Sequence, residues 1–165
     1  MIQNKVAESE LVTLDLKAYL PQEEPALFDL KNFLFRELIL KEKEFRSALL
    51  THDWEQYKGR TVLIFCSTDA IIPIWAYMLV VVYLNGVAAD LAFVNKDTWI
   101  TQKTISSIEQ IDVSPYQDKR VVIKGCGEEK IPEAAFVMIT QKLLPVVKSI
   151  MYGEPCSTVP IYKKK

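Results

Sequence analysis

Residues Asp53 to Val80 read DWEQYKGRTVLIFCSTDAIIPIWAYMLV, and residues Asp112 to Ile139 read DVSPYQDKRVVIKGCGEEKIPEAAFVMI. At a constant offset of 59, with no gap, the two stretches match at Asp53/Asp112, Tyr57/Tyr116, Arg60/Lys119, Val62/Val121, Ile64/Ile123, Ile72/Ile131, Pro73/Pro132, Ala76/Ala135 and Tyr77/Phe136. Thr61 to Phe65 (TVLIF) is short, apolar after its first residue and rich in β-branched side chains, as expected of a strand covered on both faces. Val121 to Ile123 (VVI) repeats that character. Each copy therefore reads as strand, loop, helix. Either a duplication or the shared packing demands of two βα units accounts for the match, and both imply parallel strands joined by crossover helices.

Working outward, Leu91 to Val94 (LAFV) predicts another strand, and a helix capped by Asp97 or Thr98 buries Ile105, Ile108 and Ile111. A last helix starts at Pro132 and carries Ala135, Ile139, Leu143, Val147 and Ile150 down one side, with Pro145 as a kink and Gly153 as its stop. Upstream, Leu40 to Tyr57 reads as a surface helix, while Leu11 to Leu16 (LVTLDL) and Ala26 to Leu30 (ALFDL) read as short strands. Alternation of strand and helix from Thr61 to Tyr152 predicts an α/β layered fold with a mostly parallel central sheet, built around two similar strand-loop-helix units and extended at an edge by the N-terminal strands. At 165 residues the chain fits a single α/β domain spanning 1–165.

Composition narrows the function classes. The formal net charge of −1 gives no basic field for nucleic acid, and Lys163, Lys164 and Lys165 read as a solvated tip. Met1 to Leu20 carries Glu8, Glu10 and Asp15 and lacks the apolar stretch of a secretory signal, so a cytoplasmic location is expected. Ile71 to Leu84 is uninterruptedly apolar but too short to span a bilayer, which takes about 20 residues; it reads as a buried core helix, with no membrane association. Neither common glycine-rich nucleotide loop is present.

Three cysteines remain as the chemistry-bearing residues. Cys66 and Cys126 each follow a core strand where a helix is about to begin, so both are expected at one carboxyl edge of the sheet, where α/β folds build their sites. Cys156, past the last predicted helix, falls at the opposite edge in the simplest geometry. Thiolates suit zinc or an iron–sulfur cluster, a thiol at a helix N-terminus suits nucleophilic chemistry, and cysteine also fills core space as a small apolar group. All three readings stay open, since no C-x-x-C pair is present. His52, the single histidine, reads as a surface residue or local cap, Asp69 as an N-cap, and Lys124 as a residue at the site edge or snorkelling to water.

The strings CSTDAIIPIWAYM (Cys66 to Met78), VVIKGC (Val121 to Cys126) and PVVKSIMYGEPCSTVP (Pro145 to Pro160) resemble the bacterial domain of unknown function 2480 family over nearly the whole chain. The resemblance implies no catalytic residue. It does imply an accessory role beside iron–sulfur assembly proteins, with Cys66, Cys126 and Cys156 as the metal or sulfur contacts. The expectations are thus a thiol-bearing accessory protein in cluster assembly or metal handling, a small cysteine-dependent enzyme, or a non-catalytic interaction module forming a C2 homodimer.

Overall fold

A computed structural model describes residues 11–125, 127, 129–154 and 156–165. Its strands are β1 (Leu11–Asp15), β2 (Ala26–Asp29), β3 (Thr61–Phe65), β4 (Asp90–Phe93), β5 (Arg120–Lys124), β6 (Ser149–Glu154) and β7 (Ser157–Lys163). The helices are α1 (Glu42–Thr51), α2 (Ile74–Leu84), α3 (Lys96–Glu109) and α4 (Glu133–Leu143). The mixed α/β class, the mostly parallel strands and the edge position of β1 and β2 agree with the sequence.

The expected central sheet is two sheets. Strands β2-β3-β4 form one, all parallel; β1-β5-β6-β7 form the other, parallel except for the β6/β7 hairpin. Gln22–Trp99 makes one compact unit, and Ile100–Lys165 with the described part of Met1–Pro21 makes the second. Each copy of the repeat builds its own sheet because its central strand is flanked within its own unit: β3 by β2 and β4, β5 by β1 and β6.

The repeat is longer than the matched stretch suggested. β3 and β5 begin at Thr61 and Arg120, α2 and α4 at Ile74 and Glu133, β4 and β6 at Asp90 and Ser149, all at the same offset of 59. Edge strands repeat too, at a different spacing: Leu14-Asp15-Leu16-Lys17 corresponds to Phe28-Asp29-Leu30-Lys31. In both, the aspartate ends the strand and accepts a hydrogen bond of 3.0 Å from the backbone N–H of the lysine, opening a 3-10 turn.

Sequence expectations change at the last helix and at the cap of α3. α4 stops at Leu143, and Ser149–Glu154 is a strand, not the end of that helix. Pro145 supplies no N–H, Val146 and Val147 close the helix by bonding the Leu143 carbonyl, and the following short apolar run takes the open edge of β5. α2 ends at the equivalent Leu84, where Gly86 turns with φ 78°. α3 is capped by Asn95, whose Oδ1 accepts from Thr98 N at 2.9 Å, rather than by Asp97 or Thr98.

In the unit Gln22–Trp99, Phe28, Val62 and Ile64 from the sheet meet Phe45 and Leu49 of α1 and Ala76, Val80 and Leu84 of α2. In the other unit Leu14, Val121, Ile123 and Ile150 meet Ala135, Ile139 and Leu143 of α4. His52 is half-buried and stands at the C-cap of α1, the local-cap reading of the sequence. Its ring lies 4.8 to 5.7 Å from the rings of Phe28, Phe33, Trp54 and Tyr57, and one nitrogen is 3.0 Å from the Tyr57 hydroxyl. Burial pulls its pKa below the ordinary 6.5, partly offset by Asp53. A histidine held neutral by the fold contributes stability that is full above 6.5 and erodes as pH falls toward its folded value, because the unfolded chain takes up the proton first. Urea unfolding at pH 7.5 and pH 5 is expected to show this loss, and His52→Gln to reduce it, since this is the one histidine in the chain.

Candidate functional site

The carboxyl end of the three-stranded sheet gathers Asp29 from β2, the Cys66-Ser67-Thr68 loop after β3, Tyr77 from α2 and Phe93 from β4. Parallel register sets Asp29 beside Phe65, so the chain leaving β3 passes directly over the carboxylate. Asp29 Oδ1 accepts from Lys31 N and Ser67 N, each at 3.0 Å, and Oδ2 accepts from the Ser67 hydroxyl at 2.5 Å. Burial alone would raise this carboxyl, but the Ser67 hydroxyl and the two backbone N–H groups outweigh it and hold the pKa below 3.8. The half-buried Cys66 packs against the unit's apolar core, and its Sγ lies 3.6 Å from the Thr68 carbonyl and 3.4 Å from the Thr68 hydroxyl. Tyr77 sits edge-on to Phe93 at 4.8 Å; burial, with Cys66 and Asp29 adding to it, raises its pKa above 10.0.

These contacts make a clamp more than a catalytic set. Every hydrogen bond to Asp29 favours its ionised form, and together they outweigh burial, which leaves a poor general base. His52 bonds Tyr57, so no cysteine–histidine pair is assembled at Cys66. Asp69 does not cap α2, which starts behind Pro73 without a side-chain cap. Asp29 itself escaped sequence reasoning, although its signal was present in the paired LDLK and FDLK strings.

At the corresponding end of the four-stranded sheet, the offset of 59 maps Cys66 onto Gly125 and Ser67 onto Cys126. The two cysteines are therefore not equivalent positions, and their strands belong to different sheets, against the expectation of one shared rim. Cys126 lies outside the described residues. Gly125 is a glycine for a packing reason: a Cβ there would stand 2.2 Å from the Phe136 ring. Cys156 is exposed in the turn joining β6 to β7, at the carboxyl end of β6 rather than the opposite edge, because the last helix ended early and β6 runs parallel to β5. Lys124 pairs with Glu154 at 3.5 Å across these strand ends. Beside them a shallow hollow of about 350 Å³ is lined by Ile123, Glu133, Phe136, Thr140, Tyr152 and Ile161. Among the described residues no three His, Cys, Asp or Glu side chains converge as metal ligands.

The family model described as Protein of unknown function (DUF2480) matches residues 1–164. The chain belongs to this family. No curated protein and no solved structure matches it. Membership in the DUF2480 family thus assigns no activity, and the clamp has to be judged on its chemistry. Asp29→Asn is expected to cost about 1 kcal/mol in denaturant unfolding, the usual net worth of such a hydrogen bond, because the exposed Ser67 donors can turn to water. The contribution of Asp29 is full above 3.8 and lost as pH falls through its lower folded value. Asp29→Asn should therefore also flatten the acid limb of the stability profile; an unchanged profile would count against the clamp.

Proposed function

We propose that this protein works as a non-catalytic, self-associating interaction module whose docking face is the outer side of α2. The observation that carries this reading is a contrast between the two copies of one fold. α2 buries Ala76, Val80 and Leu84 and turns Ile74, Met78, Val81 and Val82 to solvent, with Ile71 just ahead of it. Ile71 is 93% exposed, Ile74 78%, Met78 64% and Val82 69%. The uninterrupted apolar run is therefore a helix with one buried face and one bare apolar face, not the wholly buried helix its sequence suggested. At the equivalent positions α4 and its approach carry Lys130, Glu133, Val137, Thr140 and Gln141. The same fold is built with a largely polar outer face, so its packing does not require the apolar one.

Ile71 and the outer face of α2, together with the 72% exposed Phe93, offer several hundred Å². That is at the upper end of the range, about 300–600 Å², that the largest apolar patch of a soluble monomer covers and approaches the roughly 800 Å² each partner contributes to a stable interface. No charged residue occurs in Ile74–Leu84, and Asp69 lies just upstream. A helix docking on anionic lipid needs a basic flank, and no helix is long and apolar enough to cross a membrane among the described residues. A uniform apolar face without charge is its own complement across a two-fold axis, which favours a second copy of this chain as the occupant.

Zinc or iron–sulfur handling by Cys66, Cys126 and Cys156 is the competing proposal. It lacks a convergent ligand set among the described residues, and metal in protein prepared without oxygen, lost in Cys66→Ser or Cys126→Ser, would revive it.

Sedimentation equilibrium is expected to give twice the chain mass, with Met78→Asp weakening the dimer by about 100-fold or more through a buried unpaired charge. Val137→Asp, the equivalent exposed position of α4, should leave the dimer intact. A wild-type monomer at high micromolar concentration would sink the proposal.

A further inference from the structure

The amino end of the four-stranded sheet carries two neighbouring rungs of basic residues. On the first, Lys148 N donates to the Lys119 carbonyl at 2.8 Å and Lys164 N to the Lys148 carbonyl at 2.9 Å. On the second, Ser149 is the register partner of Arg120 on one side and Lys163 on the other. Register partners project from the same face, so Arg120, Ser149 and Lys163 form one row, with the outer pair about two strand spacings, roughly 10 Å, apart. Asp118 pairs with Lys164 at 3.6 Å. Lys119, Arg120, Lys148 and Lys163 have no carboxylate partner among the described residues.

Two further observations make this a site rather than a charged edge. Ser149 is 9% exposed, and its Oγ is buried with no hydrogen-bond partner, a condition rare enough in folded proteins to require a reason. A hollow of about 470 Å³ opens there, walled by Arg120, Lys148, Ser149, Met151, Tyr162 and Lys163. That volume is ordinary for a small-molecule site.

The other copy of the fold again serves as a control. Lys119, Arg120, Lys148 and Ser149 correspond to Arg60, Thr61, Ala89 and Asp90. There Arg60 is engaged by the Glu24 carbonyl at 3.4 Å, Thr61 by the Glu23 carboxylate at 3.2 Å, and β7 has no counterpart. The same rungs fold without a concentration of unpaired cations or an orphaned hydroxyl.

We propose that this hollow binds a small organic phosphate. Its phosphate oxygens sit between Arg120 and Lys163, with Lys148 adding charge. The Arg120 guanidinium presents the paired N–H donors that suit an oxyanion. The side chains of Arg120 and Lys163 flank Ser149 in the row; when they turn to the phosphate they uncover its hydroxyl, which then donates to the ligand. Met151 and its register partner Pro160 supply an apolar wall for the rest of the molecule. A concave pocket with cations gathered at one end fits a compact phosphate better than a nucleic-acid backbone, which calls for an extended basic stripe.

The test is a titration of the full chain with adenosine diphosphate and with inorganic pyrophosphate at low salt, followed by calorimetry and amide NMR. Both probes are expected to shift the amides of Arg120, Ser149 and Lys163, adenosine diphosphate also that of Met151. Arg120→Gln and Lys163→Gln should each weaken binding by about tenfold or more, while Lys43→Gln, on the exposed side of α1 in the other unit, leaves it unchanged. Ser149→Ala should weaken binding several-fold yet raise the melting temperature of the free protein, a combination that a merely structural serine would not give. Binding by Arg120→Gln at wild-type strength overturns the proposal. So does a response to single-stranded RNA or anionic vesicles with none to either small phosphate.

Discussion

Everything in the four-stranded sheet depends on the parallel pairing of β1 with β5, in which Leu11 meets Arg120 and Asp15 meets Lys124. The whole unit Gln22–Trp99 lies between those partners in the chain. Closing so long a loop costs entropy, though the cost grows only slowly with length. It is offset by burying Leu14 and Leu16 against Val121, Ile123 and α4. The contiguous unit makes the equivalent pairing of β2 with β3 across a much shorter loop. The two edge strands follow each other along the chain, and each joins the sheet of a different unit.

Because the chain contains two renderings of one fold, each supplies a control for the other. What both keep is what the fold needs: an aspartate ending the edge strand and opening a 3-10 turn, an apolar central strand, a proline ahead of the crossover helix, and buried residues at matching positions of that helix. What differs is free to serve other ends. The bare apolar side of α2 and the basic rungs of β5 to β7 each occur in a form the opposite copy lacks among the described residues. Surface chemistry differs between the copies while the core pattern is shared.

The thiols illustrate how a sound local inference can fail on a global one. That Cys66 follows a strand at its carboxyl end was legible from TVLIF and the helix behind it. That Cys126 would share its rim assumed that two similar strands belong to one sheet, and pairing preference is not written locally: parallel partners are chosen by which edges remain open after the helices pack. Cys156 was misplaced because Val146 to Met151 is apolar at spacings compatible with helix or strand, an ambiguity that short apolar runs carry. Asp29 went unnoticed because its function needs Ser67, far away in sequence, to be brought to it.

From residues alone came the element types as far as Leu143, the crossover geometry, the core positions Ala135, Ile139 and Leu143 of α4, and the repeat that organises the chain, because periodicity and β-branching act over a few residues. Three-dimensional packing settled the division into two sheets, the exposure of one side of α2, the aromatic surroundings of His52 and the row formed by Arg120, Ser149 and Lys163. Those features depend on which distant segments pair and which faces stay uncovered. That is a competition among long-range burial energies that no window of the sequence contains.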